Sequence, residues 1–184
     1  MTDLRDELLN DPSAGARRLV SEYGDRLFSL AYGLCANAAD AEDLTFRTFE
    51  QAIVKIAQFD ASHEIFPWLR SILVNFYRMD LRRKGAHALV FTDDLPSVED
   101  ASAGPDELCL RRVDARVVEA AVQSLPETHR AVVTLRYEED LPLDEIARLL
   151  SIPCGTVKSR LHQAKRILKE KLAVYFRERG CDHE

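Results

Sequence analysis

The sequence has no run of about 18 uncharged apolar residues, which argues against a membrane-spanning helix and membrane insertion. Its opening stretch, MTDLRDELLNDP, is acidic and lacks the apolar centre of a secretory signal. The four cysteines, Cys35, Cys109, Cys154 and Cys181, lie far apart with no CxxC pair, so they read as reduced thiols in a cytoplasm. Cys181 and His183 are too few ligands to make a metal site. There is no GxxxxGK phosphate loop, no metal-spaced His/Cys/Asp cluster and no nucleophile triad, so neither catalysis nor a cofactor nor a metal is expected. No alternating strand pattern competes with the helical ones, and there is no internal repeat.

What the chain does have is charge sorted by segment. The net charge of -6 over 184 residues is the wrong sign for a protein that approaches phosphates. The average is misleading, however: positive charge gathers at residues 61–84 and 154–184, while 1–60 and 85–110 are acidic. Residues 85–106, GAHALVFTDDLPSVEDASAGPD, contain Gly, Pro, Ser and Asp but neither Lys nor Arg, and read as a linker. The expected organisation is therefore all-α, with two small helical domains at 1–84 and 107–184 joined by an acidic linker at 85–106.

Three helices are expected in the first domain. One runs from Ala14 to Leu34, with Leu19, Val20, Tyr23, Leu27, Leu30, Ala31 and Leu34 on one face. A second starts with Asp40 as N-cap and continues to about Gln58, burying Leu44, Phe49, Ile53 and Ile56. A third begins near Phe66, with Pro67 in its first turn, and buries Trp68, Leu69, Ile72, Leu73, Phe76 and Leu81 before the cluster Arg82–Lys84. The second domain is expected to have helices at Glu107–Gln123, from after Ser124 to Tyr137, at Leu143–Leu150 and from Gly155 to at least Ala173.

The close spacing of the last two helices is that of a helix-turn-helix. Ala147 lies where the second helix must approach, and Ile152, Val157 and Leu161 lock the pair together. Ser151 falls at a turn position that often needs positive φ, at a cost of about 1 kcal/mol for a residue other than glycine. The second helix then presents Lys158, Ser159, His162, Gln163, Lys165 and Arg166, with Arg160 at the flank, a face that suits the major groove of DNA. A solvated basic face on a core helix has the same composition; spacing and charge together favour DNA. In the first domain, FDASHEIFPWLRSILVNFYRMDLRRK combines aromatics, an amide and basic residues in the manner of a single-stranded DNA site. Phe59, Asn75, Arg78, Arg82 and Arg83 are the contact candidates, while Trp68 and Phe76 read as core.

Three segments carry a family resemblance: AADAEDLTFRTFEQAI, FDASHEIFPWLRSILVN and SLPETHRAVVTLRYEEDLPLDEIARLLSIPCGTVKSRLHQAKR. In this order, with a linker between the second and third, they resemble the extracytoplasmic-function group of bacterial sigma factors, which have the sigma-2 and sigma-4 domains alone. The resemblance implies promoter-specific transcription initiation with core RNA polymerase, through its β′ clamp and β flap. It places clamp docking on Asp40, Glu42, Asp43, Arg47 and Glu50, and opening of the −10 element on Phe59, the loop 60–65 and Asn75. Reading of the −35 element falls on Thr156, Lys158, Ser159, Arg160, His162 and Gln163. It also implies promoter DNA and an anti-sigma factor as partners, and a linker that threads toward the polymerase active site. Phe46, Arg47, Ser151 and Gln163 depart from the usual pattern. The alternatives are a helix-turn-helix regulator that does not dock on polymerase, and a sigma-like mimic that does not direct initiation.

Overall fold

A computed structural model describes residues 4–84 and 115–178, and for 174–178 the backbone alone. The expected linker at 85–106, residues 107–114 of the helix expected from Glu107, and Cys109, Cys181 and His183 lie outside the described residues. Among the described residues every regular element is a helix, as the sequence led one to expect. The chain divides into two units, Met1–His87 and Ala88–Glu184.

The first unit opens with a helix that the sequence reading had left out: α1, Leu4–Asn10, which buries Leu4 and Leu8. Asp11 then caps α2 (Pro12–Cys35), its Oδ1 accepting from the backbone N–H groups of Ser13 and Ala14 at 3.1 and 3.0 Å. Gly15 lets α1 and α2 meet closely, since a Cβ there would lie 2.7 Å from the Leu8 Cα. The Arg18 guanidinium holds Glu7 of α1 at 2.8 Å and Glu22 of its own helix at 2.6 Å. Leu19, Leu27, Leu30, Ala31 and Leu34 form the buried stripe of α2, but Val20 lies outside it and is 50% exposed.

Helix α2 ends at Ala36 in the left-handed region, so Asn37 is the first extended residue and becomes the N-cap of α3 (Ala38–Lys55). Its Oδ1 accepts from the Asp40 N–H at 3.0 Å. Asp40 is therefore a first-turn residue, not the expected cap. A 3₁₀ turn at Ile56–Gln58 leads to the short loop before α4 (Ile65–Arg83). The core face of α4 also differs from the expected stripe. It includes Ile65, Phe66, Val74 and Tyr77 together with Leu69, Leu73 and Leu81, while Trp68, Ile72 and Phe76 are only half-buried. The face is rotated because α4 packs against both α2 and α3, so helical spacing alone could not set its centre.

In the second unit, α5 is described from Ala115 to Gln123. Arg130, only 4% exposed, donates from Nη1 to the Gln123 and Leu125 carbonyls, both at 3.0 Å, and so satisfies oxygens at the end of α5. It belongs to α6 (Glu127–Val133), which Pro126 precedes and which widens into a π turn over Thr134–Glu138. Helices α7 (Leu143–Leu150) and α8 (Cys154–Glu178) follow. Val132, Leu135, Ile146, Val157 and Ala164 form the centre of this unit's core.

Candidate nucleic-acid interface

The turn between α7 and α8 is built from hydrogen bonds that a left-handed residue makes possible. Ser151 has φ 51° and ψ 51°. Its N–H donates to the Arg148 carbonyl at 3.2 Å, and the Ile152 N–H donates to the Ala147 carbonyl at 3.0 Å. These two bonds make a Schellman motif, which closes α7 sharply, and Pro153 prevents the helix from continuing. Glycine is the least strained residue here, yet serine adopts the conformation, as expected from its position in the sequence. Ile146 and Val157, both 0% exposed, pin the two helices together. Ala147 is half-buried and not at the centre of the contact.

This packing decides which side chains of α8 face outward. Gly155, Lys158, His162, Lys165, Arg166 and Lys169 recur at three- and four-residue spacing and are all exposed. A Cβ on Gly155 would meet nothing within 4 Å, so the backbone at the start of α8 is open to close approach. Thr156 and Ser159 are half-buried, and the Ser159 hydroxyl donates to the Thr156 carbonyl at 3.1 Å. Two expected members of the face behave differently. Arg160 is 8% exposed, because its position turns toward the core side with Val157, Leu161 and Ala164. Gln163 is half-buried and bonded through Oε1 to Nε2 of His129 on α6 at 2.7 Å. Lys169 was missed in the sequence, although the same spacing extended by one turn would have included it. The Cys154 thiol beside this face is pushed up by its hydrogen bond with Asp144, then by burial, which keeps it protonated.

In the first unit the loop before α4 is exposed from Asp60 to Glu64. The Asp60 carboxylate accepts from the Ser62 N–H at 2.9 Å, and that bond holds its pKa below the ordinary range. Phe59, a contact candidate from sequence, is buried at 7% exposure, with its ring 5.0 Å from that of Trp68 between centroids. The chain must turn there from the 3₁₀ segment into the loop, and the ring fills the space under the turn. Asn75 and Arg82 are exposed on α4 in line with Ser71 and Met79. Arg78 is half-buried, and burial, then the nearby charge of Arg82, lowers its pKa. Arg83 pairs with Asp80 of its own helix.

The acidic face of α3 exposes Asp40, Glu42, Asp43 and Glu50. Arg47 does not belong to it. Its guanidinium binds Asp80 of α4 at 2.7 Å and Asp43 at 3.0 Å, and stacks over Phe76 at 4.6 Å. The hydrogen bond to Asp80 raises its pKa, so the charge is fixed. Arg47 is thus a tie between α3 and α4, a role invisible without knowing that the two helices meet. Asp40 is likewise held by Lys84 at 2.7 Å. Phe46, 63% exposed, and Val54, 78% exposed, occupy the outward face instead. Among the described residues no helix is long and apolar enough to cross a membrane, and no three His, Cys, Asp or Glu side chains gather as a metal site.

The chain matches the family models for Sigma-70 region 2 over residues 19–87 and Sigma-70 region 4 over residues 115–168. These matches fall separately on the two units. The chain is 28% identical over 165 residues to the ECF RNA polymerase sigma factor SigW of Bacillus subtilis, covering 84% of this chain and 87% of that protein. It is 32% identical over 161 residues to the ECF RNA polymerase sigma factor SigE of Mycolicibacterium smegmatis, covering 87% of this chain and 62% of that one. In fold it resembles the sigma factor RpoE of Bartonella quintana, solved in complex with the anti-sigma factor NepR, with a TM-score of 0.59 at 23% identity over 86% of this chain and 96% of that one.

Proposed function

The chain belongs to the extracytoplasmic-function group of RNA polymerase sigma factors, a family that directs promoter-specific initiation, and we propose a division of that task between its two units. Residues 107–184 read the −35 element with the exposed face of α8. Residues 1–84 dock on the polymerase clamp with α3 and hold the opened −10 element against the loop at 60–64 and the outward side of α4. Residues 85–106 join the two. The protein itself supplies no bond chemistry; it supplies binding and strand separation.

The observation that carries this reading is the row Lys158, His162, Lys165, Arg166 and Lys169 on the second helix of a tightly closed helix-turn-helix. An α-helix fits the major groove, and a cationic face releases counterions from phosphates. Asn75 and Arg82 are the best-placed residues of α4 for single-stranded DNA, with Arg78 at their edge. Phe59 and Arg160 act beneath their faces and not on DNA. On α3 the docking residues are Asp40, Glu42, Asp43 and Glu50 around Phe46, with Arg47 holding the helix in place. The partners are core RNA polymerase, promoter DNA and an anti-sigma factor that covers these surfaces; the anti-sigma complex of the Bartonella relative supports the last of these.

Gel filtration of the chain with sigma-free core polymerase tests the docking half of the proposal. Co-elution is expected, and Phe46→Asp combined with Glu50→Lys should weaken it at least tenfold. Separate elution of the wild-type chain and the core enzyme would sink the docking reading.

A further inference from the structure

The hydrogen bond between His129 and Gln163 joins a core helix to the edge of the groove-facing helix, and its chemistry is directional. Gln163 Oε1 can only accept, so at 2.7 Å the His129 Nε2 must carry the proton. In neutral histidine the other ring nitrogen then accepts, and the Thr128 hydroxyl lies 3.3 Å from Nδ1 to donate to it. In that neutral tautomer the bonds run one way, from the Thr128 hydroxyl through the imidazole to the Gln163 carbonyl oxygen. The amide of Gln163 keeps its NH₂ group, two donors, for a further partner.

That orientation matters because glutamine reads bases in two ways. With both ends free it pairs bidentately with adenine, accepting from N6 and donating to N7. With its C=O aimed at His129 the oxygen keeps a second lone pair, but the NH₂ group is the end left to lead toward a base. It then suits bases that present acceptors alone in the major groove: guanine with O6 and N7, or thymine with O4.

We propose that His129 is a specificity-positioning residue, which turns the Gln163 carbonyl oxygen toward α6 so that α8 presents the NH₂ end of the amide and disfavours adenine at one base pair of the upstream promoter element. The proposal rests on the reading that α8 enters the major groove. His129 touches no DNA in it and acts through Gln163 alone.

The test uses holoenzyme, the full chain with core polymerase, selecting from a library of duplex promoters randomised across the upstream element. Wild type should favour guanine or thymine at the position in question. His129→Ala frees the oxygen and should raise relative binding of adenine there about fivefold. Gln163→Ala should flatten preference at that same position, and adding His129→Ala to it should change nothing more. His129→Gln retains a donor and should restore most of the wild-type preference. Thermal melting of each variant separates a folding defect, which lowers binding to all sequences equally, from a change of preference. Lys158→Ala is the control for groove entry and should weaken binding across all sequences. If Lys158→Ala has no effect, the groove reading itself fails. If Lys158→Ala acts as expected but His129→Ala moves no base preference, or moves one that Gln163→Ala does not, the positioning proposal is overturned.

Discussion

Asp80 shows how a single side chain can be structural while its neighbours look functional. It sits on α4 among basic residues expected to meet DNA, yet it receives Arg47 from α3 and Arg83 from its own helix. Burial alone would push its carboxyl up, but the hydrogen bonds from Arg47 and Arg83 outweigh burial and hold it below the ordinary carboxylate range. A carboxyl whose folded pKa is depressed stabilises the fold fully above its unfolded value, near pH ~3.9, and loses that contribution as pH falls through the folded value. Asp80→Asn should therefore cost about 1–2 kcal/mol near neutral pH, with the difference from wild type shrinking below about pH 4. Urea denaturation across that pH range measures this, and a difference constant with pH would contradict the assignment. The family resemblance placed docking on Arg47, and position on one helix says nothing of what the next helix brings to it. The burial of Phe59 and Arg160 was not legible for the same reason: it is decided by the turn beneath Phe59 and by the α7–α8 packing. Lys158, His162, Lys165 and Arg166 were legible because helical spacing relative to the buried Val157 and Leu161 fixes their direction.

At the scale of elements, the helices that carry long apolar stripes were readable and α1 was not. A helix of seven residues has little stability of its own in water, so its existence depends on packing. That packing needs Gly15, where the α2 backbone touches the Leu8 backbone. The local signals were nonetheless present: Asp11 before Pro12 marks the start of α2, and Leu4 and Leu8 are four residues apart. Gly15→Ala places a methyl group 2.7 Å from backbone atoms that cannot rotate away, so α1 should detach. A loss of about 1–3 kcal/mol is expected. Hydrogen exchange should show α1 unprotected while α3 and α4 keep their protection; an unchanged α1 would refute the close contact. The α7–turn–α8 element lies at the other extreme. Leu143–Leu150 was placed in the sequence with the bounds it has in the structure, because a Pro, a short apolar repeat and a second Pro delimit it. The left-handed turn was legible from its position between two helices, and Ser151 adopts it without a glycine.

At the scale of the whole molecule, the net charge of -6 conceals charge sorted between segments. In the first unit Asp40, Glu42, Asp43 and Glu50 make an outward acidic face on α3, and in the second Lys158, Lys165, Arg166 and Lys169 make an outward basic face on α8. The proposed function assigns the acidic surface to a protein partner and the basic one to a nucleic acid. The order of motifs made the family legible from the sequence, and the family models match residues 19–87 and 115–168. Less legible was which residues within each face are committed to internal bonds, as Gln163 is to His129. The most direct measurement is transcription by sigma-free core polymerase from a genomic promoter library, with start sites mapped. Adding the chain should produce a discrete set of starts sharing two spaced upstream elements, and Lys158→Ala combined with Lys165→Ala should reduce them at least tenfold. Starts that are the same with and without the chain would contradict the account.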